Sequence, residues 1–129
     1  MAPHKEQTVL VVDDNELMRL LLKTRLEREG YQVIEAFDGQ TAIDVVLAQK
    51  PSVVICDLAM PKVSGLDVIK AVRQQLGESA PPFIVLTANY DSLTRIKSLE
   101  MGASEIFPKP IPFEKLLLAI KNLTSQPTP

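Results

Sequence analysis

The sequence predicts an α/β fold: five βα units forming a doubly wound parallel sheet of strand order 2-1-3-4-5, with helices on both faces. Two observations predict it. Short apolar runs rich in β-branched residues recur along the chain, and the three strongest lack the alternation of a half-exposed strand. Between and after these runs, apolar residues repeat at helical spacing, and three of the helical stretches stop at glycine.

The first strand is "TVLVV" at 8–12. A helix follows over 15–29, with Met18, Leu21, Leu22 and Leu26 on one stripe and Gly30 at its end. "YQVIEA" at 31–36 is a weaker run and reads as a strand near the sheet edge. After the turn "DGQ", Ala42, Val45, Val46 and Gln49 carry the second helix. "PSVVIC" at 51–56 is the third strand, and Leu66, Ile69, Val72 and Leu76 mark a helix over 64–76 that ends at Gly77. "PFIVL" at 82–86 is the fourth strand, followed by a helix over 92–101 marked by Leu93, Ile96, Leu99 and Met101 and stopped by Gly102. "SEIF" at 104–107 is a second edge strand, closed by Pro108, which lacks the amide a central ladder needs. Leu116, Leu117, Ile120 and Leu123 complete a last helix from about 112 to 123. The expected organisation is a flexible leader over 1–7, one domain over 8–123, and a polar tail over 124–129 that reads as a free end or the start of a linker.

A length of 129 residues suits a single core, and 46% apolar with 23% charged residues is an ordinary soluble balance. The net charge of −2 argues against direct contact with DNA or RNA, whose backbone calls for a basic surface. No apolar run approaches the ~20 residues that span a bilayer. The leader "MAPHKEQ" has no signal-peptide core, so the expectation is a cytoplasmic protein without a membrane partner. Cys56 is the single cysteine, which excludes an internal disulfide and a cysteine-clustered metal site; on a buried strand it reads as a small core hydrophobe. The one histidine, His4, falls in the polar leader, so no histidine-based catalysis is expected.

In open parallel sheets, chemistry collects beyond the carboxyl ends of the strands. Here those ends carry Asp13-Asp14, Asp57, Thr87-Ala88 and Lys109, and the strand order brings them to one crevice. Each has an ordinary reading alone. Asp13-Asp14 could cap the first helix, Asp57 could be a turn residue, and a threonine or lysine at a strand end is common. Together they are specific. Three crowded carboxylates repel, and a divalent cation removes the conflict. Mg²⁺, or Mn²⁺ in its place, prefers a few carboxylates together with waters and phosphate oxygens. With a lysine and a hydroxyl beside them, the set suits phosphoryl transfer to an aspartate nucleophile.

This constellation resembles the receiver domain of two-component response regulators, with a flavodoxin-like fold, over about 8–123. The matching stretches are "VLVVDDNELMR", "VVICDLAMPKVSGLDVI", "IVLTA" and "MGASEIFPKPI". The resemblance implies that Asp57 is the phosphoacceptor, and that Asp13, Asp14, Asp57 and the backbone carbonyl of Ala59 hold Mg²⁺. Thr87 would hydrogen-bond the phosphoryl group and Lys109 would pair with it. The Lys109–Pro110 bond is expected to be cis. Met60 and Pro61 would shape the turn after Asp57, and Gly65 would permit a close approach of backbone or of a partner. Ala59 and Asn89 occupy the positions that tune phosphoryl lifetime. Ala88, beside Thr87, belongs to the switch region.

The implied partners are a sensor histidine kinase or a histidine phosphotransfer protein, and a downstream target or output domain on the face of helix four, strand five and helix five, about 92–123. The protein is expected as a monomer or a phosphorylation-dependent dimer. It is not an enzyme beyond its own phosphotransfer and dephosphorylation. One position departs from the family: Ile106 stands where an aromatic is usual, and Phe107 must face the opposite side of the strand. The signal is therefore expected to travel more through the backbone of 87–91.

Three rival readings exist. An aspartate-nucleophile phosphohydrolase needs a second aspartate where Ala59 stands. In a flavodoxin-like electron carrier, "DDNE" would repel the flavin phosphate. A phosphorylation-independent interaction module is the strongest rival, with Ile106 its main support.

Overall fold

The computed structural model describes residues 7–124, so the leader up to residue 6, with His4, and the tail from 125 lie outside the described residues. Five strands, β1 (Thr8–Val12), β2 (Gln32–Ala36), β3 (Val53–Asp57), β4 (Phe83–Thr87) and β5 (Glu105–Pro108), alternate with five helices. These are α1 (Glu16–Arg28), α2 (Gly39–Gln49), α3 (Gly65–Leu76), α4 (Ser92–Met101) and α5 (Phe113–Thr124). All neighbouring strands pair in parallel, in the order β2-β1-β3-β4-β5. The expected fold class is the one observed. A short 3₁₀ turn at Gly77–Ser79, which the periodicity does not predict, prolongs the chain past α3.

Burial on both faces accounts for the unbroken apolar runs. Every residue of β3 and β4 is buried. Leu10, Val12, Val54, Cys56, Phe83 and Val85 point to the layer that contains Ala42, Val46, Val68, Ile69 and Val72 of α2 and α3. Their strand neighbours Val9, Val11, Val53, Ile55, Ile84 and Leu86 point to Leu26 of α1 and Leu116, Ala119 and Ile120 of α5. Period two along each strand thus builds two cores, one per face. The edge strand β5 obeys the same rule, with Ile106 in the first core and Phe107 against the second.

The helices differ in how well their stripes are used. In α1 only Leu26 is fully buried, and Leu21 is exposed together with Leu17 and Leu20. The apolar stripe of α4 faces solvent: Leu93, Ile96 and Leu99 are all exposed, and the buried residue is Ser98, whose hydroxyl donates to the Thr94 carbonyl at 2.8 Å. Among the described residues, no helix is long and apolar enough to cross a membrane.

Candidate phosphoacceptor site

Parallel pairing in register brings the carboxyl ends of β1, β3, β4 and β5 to one end of the sheet, where the chain leaves each strand as a loop. Asp13 follows β1, and its amide donates to the Ala36 carbonyl at 3.2 Å, which extends the β1–β2 pairing. Asp57 is the last residue of β3 and Thr87 the last of β4. The Lys109 amide donates to the Thr87 carbonyl at 2.8 Å, so the chain stays on the sheet edge one residue beyond Pro108. The Lys109–Pro110 peptide is cis.

These loops converge as the chain order anticipates. Asp13, Asp14 and Asp57 each offer a carboxylate oxygen within 4.8 Å of the others. Lys109 Nζ lies 3.3 Å from Asp13 Oδ2 and 3.3 Å from Asp57 Oδ2, bridging two of the three acids. Asp13 and Asp57 are buried and Asp14 is exposed, so the cluster has an inner pair and an outer member. The Thr87 hydroxyl, also buried, accepts the Asn89 amide at 3.0 Å, which leaves its own proton free to donate. Ala59, Ala88 and Asn89 are exposed at the rim. The Ala59 amide donates to Asp57 Oδ1 at 3.3 Å.

The electrostatics are those of a site short of positive charge. Burial pushes the Asp57 carboxyl above its ordinary value; Lys109 pulls it down, and Asp13 pushes it up further. Burial would lower the Lys109 ammonium, yet the Asp57 and Asp13 carboxylates outweigh it and leave Lys109 raised. One lysine pairs with two of the three carboxylates, and Asp14 has no such partner among the ion pairs of the described residues. An all-oxygen donor set with this excess of negative charge fits a hard divalent cation. Cys56, next to Asp57, is fully buried and its thiol is pushed far up by that burial, so it is inert.

Two structural details support the position of Asp57. Gly65 begins α3 directly against the end of β3, its amide donating to the Leu58 carbonyl at 3.0 Å. A Cβ there would stand 2.6 Å from the Asp57 carbonyl oxygen, so only glycine allows this approach. Of the two close approaches anticipated at Gly65, of backbone or of a partner, the backbone one is seen, with Asp57 and Leu58. Ile106 lies outside the crevice, in the core between sheet and helices.

The capping reading of Asp13-Asp14 gives way to Asn15, whose side chain accepts the Met18 amide at 3.0 Å as the α1 N-cap. The Asn15 amide in turn donates to Asp13 Oδ1 at 2.9 Å. Sequence reasoning also passed over Arg19, which donates to the Asp13 carbonyl at 2.7 Å and to Glu35 Oε1 at 3.4 Å. Asn15 could have been found as an Asx residue ahead of a helical stripe. Arg19 and Glu35 carry no such signal, because only the fold brings them together.

The response regulator receiver domain family matches residues 9–121. Over 115 residues the chain is 40% identical to the transcriptional regulatory protein CpxR of Escherichia coli, covering 89% of this chain and 48% of that protein. It is 36% identical over 121 residues to the response regulator MprA of Mycolicibacterium vanbaalenii, covering 94% and 52%. This chain thus spans about half the length of these curated relatives. Among solved structures, the chemotaxis protein CheY4 of Vibrio cholerae superposes with a TM-score of 0.84 at 30% identity, over 91% of this chain and 98% of that one. The BeF3-activated N-terminal receiver domain of RstA from Klebsiella pneumoniae gives a TM-score of 0.85 at 27% identity, over 93% and 100%. The sheet order, the acidic crevice and these likenesses lead to one conclusion: the chain belongs to the response regulator receiver domain family.

Proposed function

We propose that this chain is a phosphorylatable receiver of a two-component or phosphorelay system, with Asp57 as phosphoacceptor in a Mg²⁺-dependent reaction. The observation that carries the reading is the convergence of three carboxylates with Lys109 at 3.3 Å from Asp57. An Asp57 carboxylate oxygen attacks the phosphorus of a phosphohistidine on a kinase or phosphotransfer protein. The P–O bond forms as the P–N bond breaks, and the electron pair returns to the imidazole nitrogen. Water attack on the same phosphorus later cleaves the acyl phosphate and resets Asp57.

Lys109 leaves the carboxylate and pairs with the new phosphoryl oxygens, and the Thr87 hydroxyl donates to them. The Ala59 amide, already directed at Asp57 Oδ1, helps hold the acceptor in place. Asp13, Asp14 and Asp57, with the Ala59 carbonyl, would hold the cation. When bound it supplies charge neutralisation for the phosphoryl oxygens. Ala59, Ala88 and Asn89 at the rim set the access of water to the acyl phosphate.

The output surface is the face of α4, β5 and α5, where Leu93, Ile96 and Leu118 are exposed and apolar area is available to a target, an output domain or a second copy. Phosphorylation biases this face between two states. The whole system is assigned to the cytoplasm, where a kinase would present its phosphohistidine.

Incubation with acetyl phosphate and Mg²⁺ tests the reading. Intact-mass measurement should show one added phosphoryl group, lost on chelation of the metal before the reaction and in Asp57→Asn. No gain in the wild-type protein would instead favour an interaction module that works without phosphorylation.

A further inference from the structure

Arg19 is a charged residue with an unusual placement. Its side chain is only 14% exposed, although it sits on the first turns of a largely exposed helix. The guanidinium makes two contacts with different elements: Nη1 donates to the Asp13 carbonyl at 2.7 Å, and Nε to Glu35 Oε1 on β2 at 3.4 Å. Glu35 pairs in register with Val11, two residues before Asp13. The fork thus ties α1, the end of β1 and the edge strand β2 together.

The held carbonyl belongs to the peptide that joins Asp13 to Asp14. Fixing that peptide plane fixes the direction in which the chain presents the exposed Asp14. The rest of Asp13 is held as well: its amide reaches Ala36, Oδ1 accepts the Asn15 amide and Oδ2 accepts Lys109. Arg19 supplies the remaining restraint without occupying a carboxylate oxygen of the cluster. Its charge is compensated by Glu35, so the crevice keeps its acids available. A lysine could not copy this, since one ammonium lacks the planar fork that reaches both partners.

Resting on the phosphoacceptor reading above, we propose that Arg19 is a positioning residue: by clamping the Asp13–Asp14 peptide to Glu35 it orients the acidic pair for the divalent cation.

Charge alone predicts the opposite effect, which makes the proposal easy to test. Removing a nearby positive charge should tighten cation binding by simple electrostatics, whereas loss of the clamp should weaken it. The measurement is Mn²⁺ binding by electron paramagnetic resonance to the full chain and to Arg19→Ala, Arg19→Lys and Glu35→Gln. Arg19→Ala should bind Mn²⁺ about tenfold more weakly, the scale typical of groups that orient metal ligands. Arg19→Lys should weaken it in the same direction although the charge is kept. Glu35→Gln should weaken it less, because the Asp13 contact survives. With acetyl phosphate, the Arg19 variants should need more Mn²⁺ for half-maximal phosphorylation yet approach the wild-type rate at saturation. A lower unfolding midpoint with unchanged Mn²⁺ affinity would overturn the proposal, as would tighter binding in Arg19→Ala. If Arg19→Ala does not fold, Arg19→Lys decides on the same criterion. Absence of Mn²⁺ binding by the wild-type protein would instead sink the phosphoacceptor reading itself.

Discussion

α3 and α4 are successive helices on the same face of the sheet, and they are anchored very differently. α3 buries Gly65, Val68, Ile69 and Val72, and it starts with a full capping box in which Ser64 and Asp67 satisfy each other's backbone amides. α4 buries only Ser98 and turns Leu93, Ile96 and Leu99 to water. The two helices flank the crevice, since β3 with Asp57 feeds α3 and β4 with Thr87 feeds α4. The helix after Asp57 is therefore closely packed, whereas the helix after the buried Thr87 has little apolar packing of its own. A displacement that begins at Thr87 meets little apolar packing that must be broken, which is what a switching surface needs.

The contrast can be broken most directly by truncation. Ile69→Ala, in the packed face of α3, should cost about 2–5 kcal/mol of unfolding free energy. Leu93→Ala, on the exposed face of α4, should stay within about 0.5 kcal/mol. Urea unfolding of the two variants measures both, and similar losses would mean that α4 packs more tightly than its exposure indicates.

Metal should produce the next largest effect. Mg²⁺ at about a hundredfold excess over its Kd should stabilise the protein by about 2.7 kcal/mol through mass action. A midpoint that does not respond would leave the acidic cluster without a cation. Phosphorylation, followed by amide NMR, sharpens the comparison further: shifts should concentrate in 87–91 and α4 and fade in α3. Large shifts at Ile106 with none in 87–91 would refute a backbone-borne signal.

Smaller still is the loss of one cap. Ser64→Ala should destabilise by about 1 kcal/mol, with unchanged phosphorylation at saturating metal. The least effect is a titration. Asp91 caps α4 by accepting the Thr94 amide at 2.7 Å, and that bond holds its carboxyl below the ordinary value of 3.8. A depressed folded value means that the cap contributes fully above the unfolded value and is lost as pH falls through the lower one. The Thr94 amide shift should therefore titrate with a midpoint below 3.8, detectable without any change in α3.

Much of the molecule was legible in local pattern. Strands buried on both faces must be continuously apolar, so β1, β3 and β4 announced themselves, and the chemistry had to sit where those runs end in Asp13-Asp14, Asp57 and Thr87. Periodicity likewise marked α4 over 92–101, because its leucines and isoleucine do repeat at helical spacing. It could not say which way that stripe faces. A helical repeat records that one side is apolar, while the surface it meets depends on elements distant in sequence.

The same division runs through the site. Residue types and their order at four strand ends are a one-dimensional property, readable without coordinates. The bridging of Asp13 and Asp57 by one ammonium, the burial that raises Asp57, and the tie from Arg19 to Glu35 arise only when parallel strands are laid side by side. Hydrogen bonds and desolvation act over a few ångströms, and Lys109 reaches Asp13 across 96 positions of chain that carry no local trace of the contact.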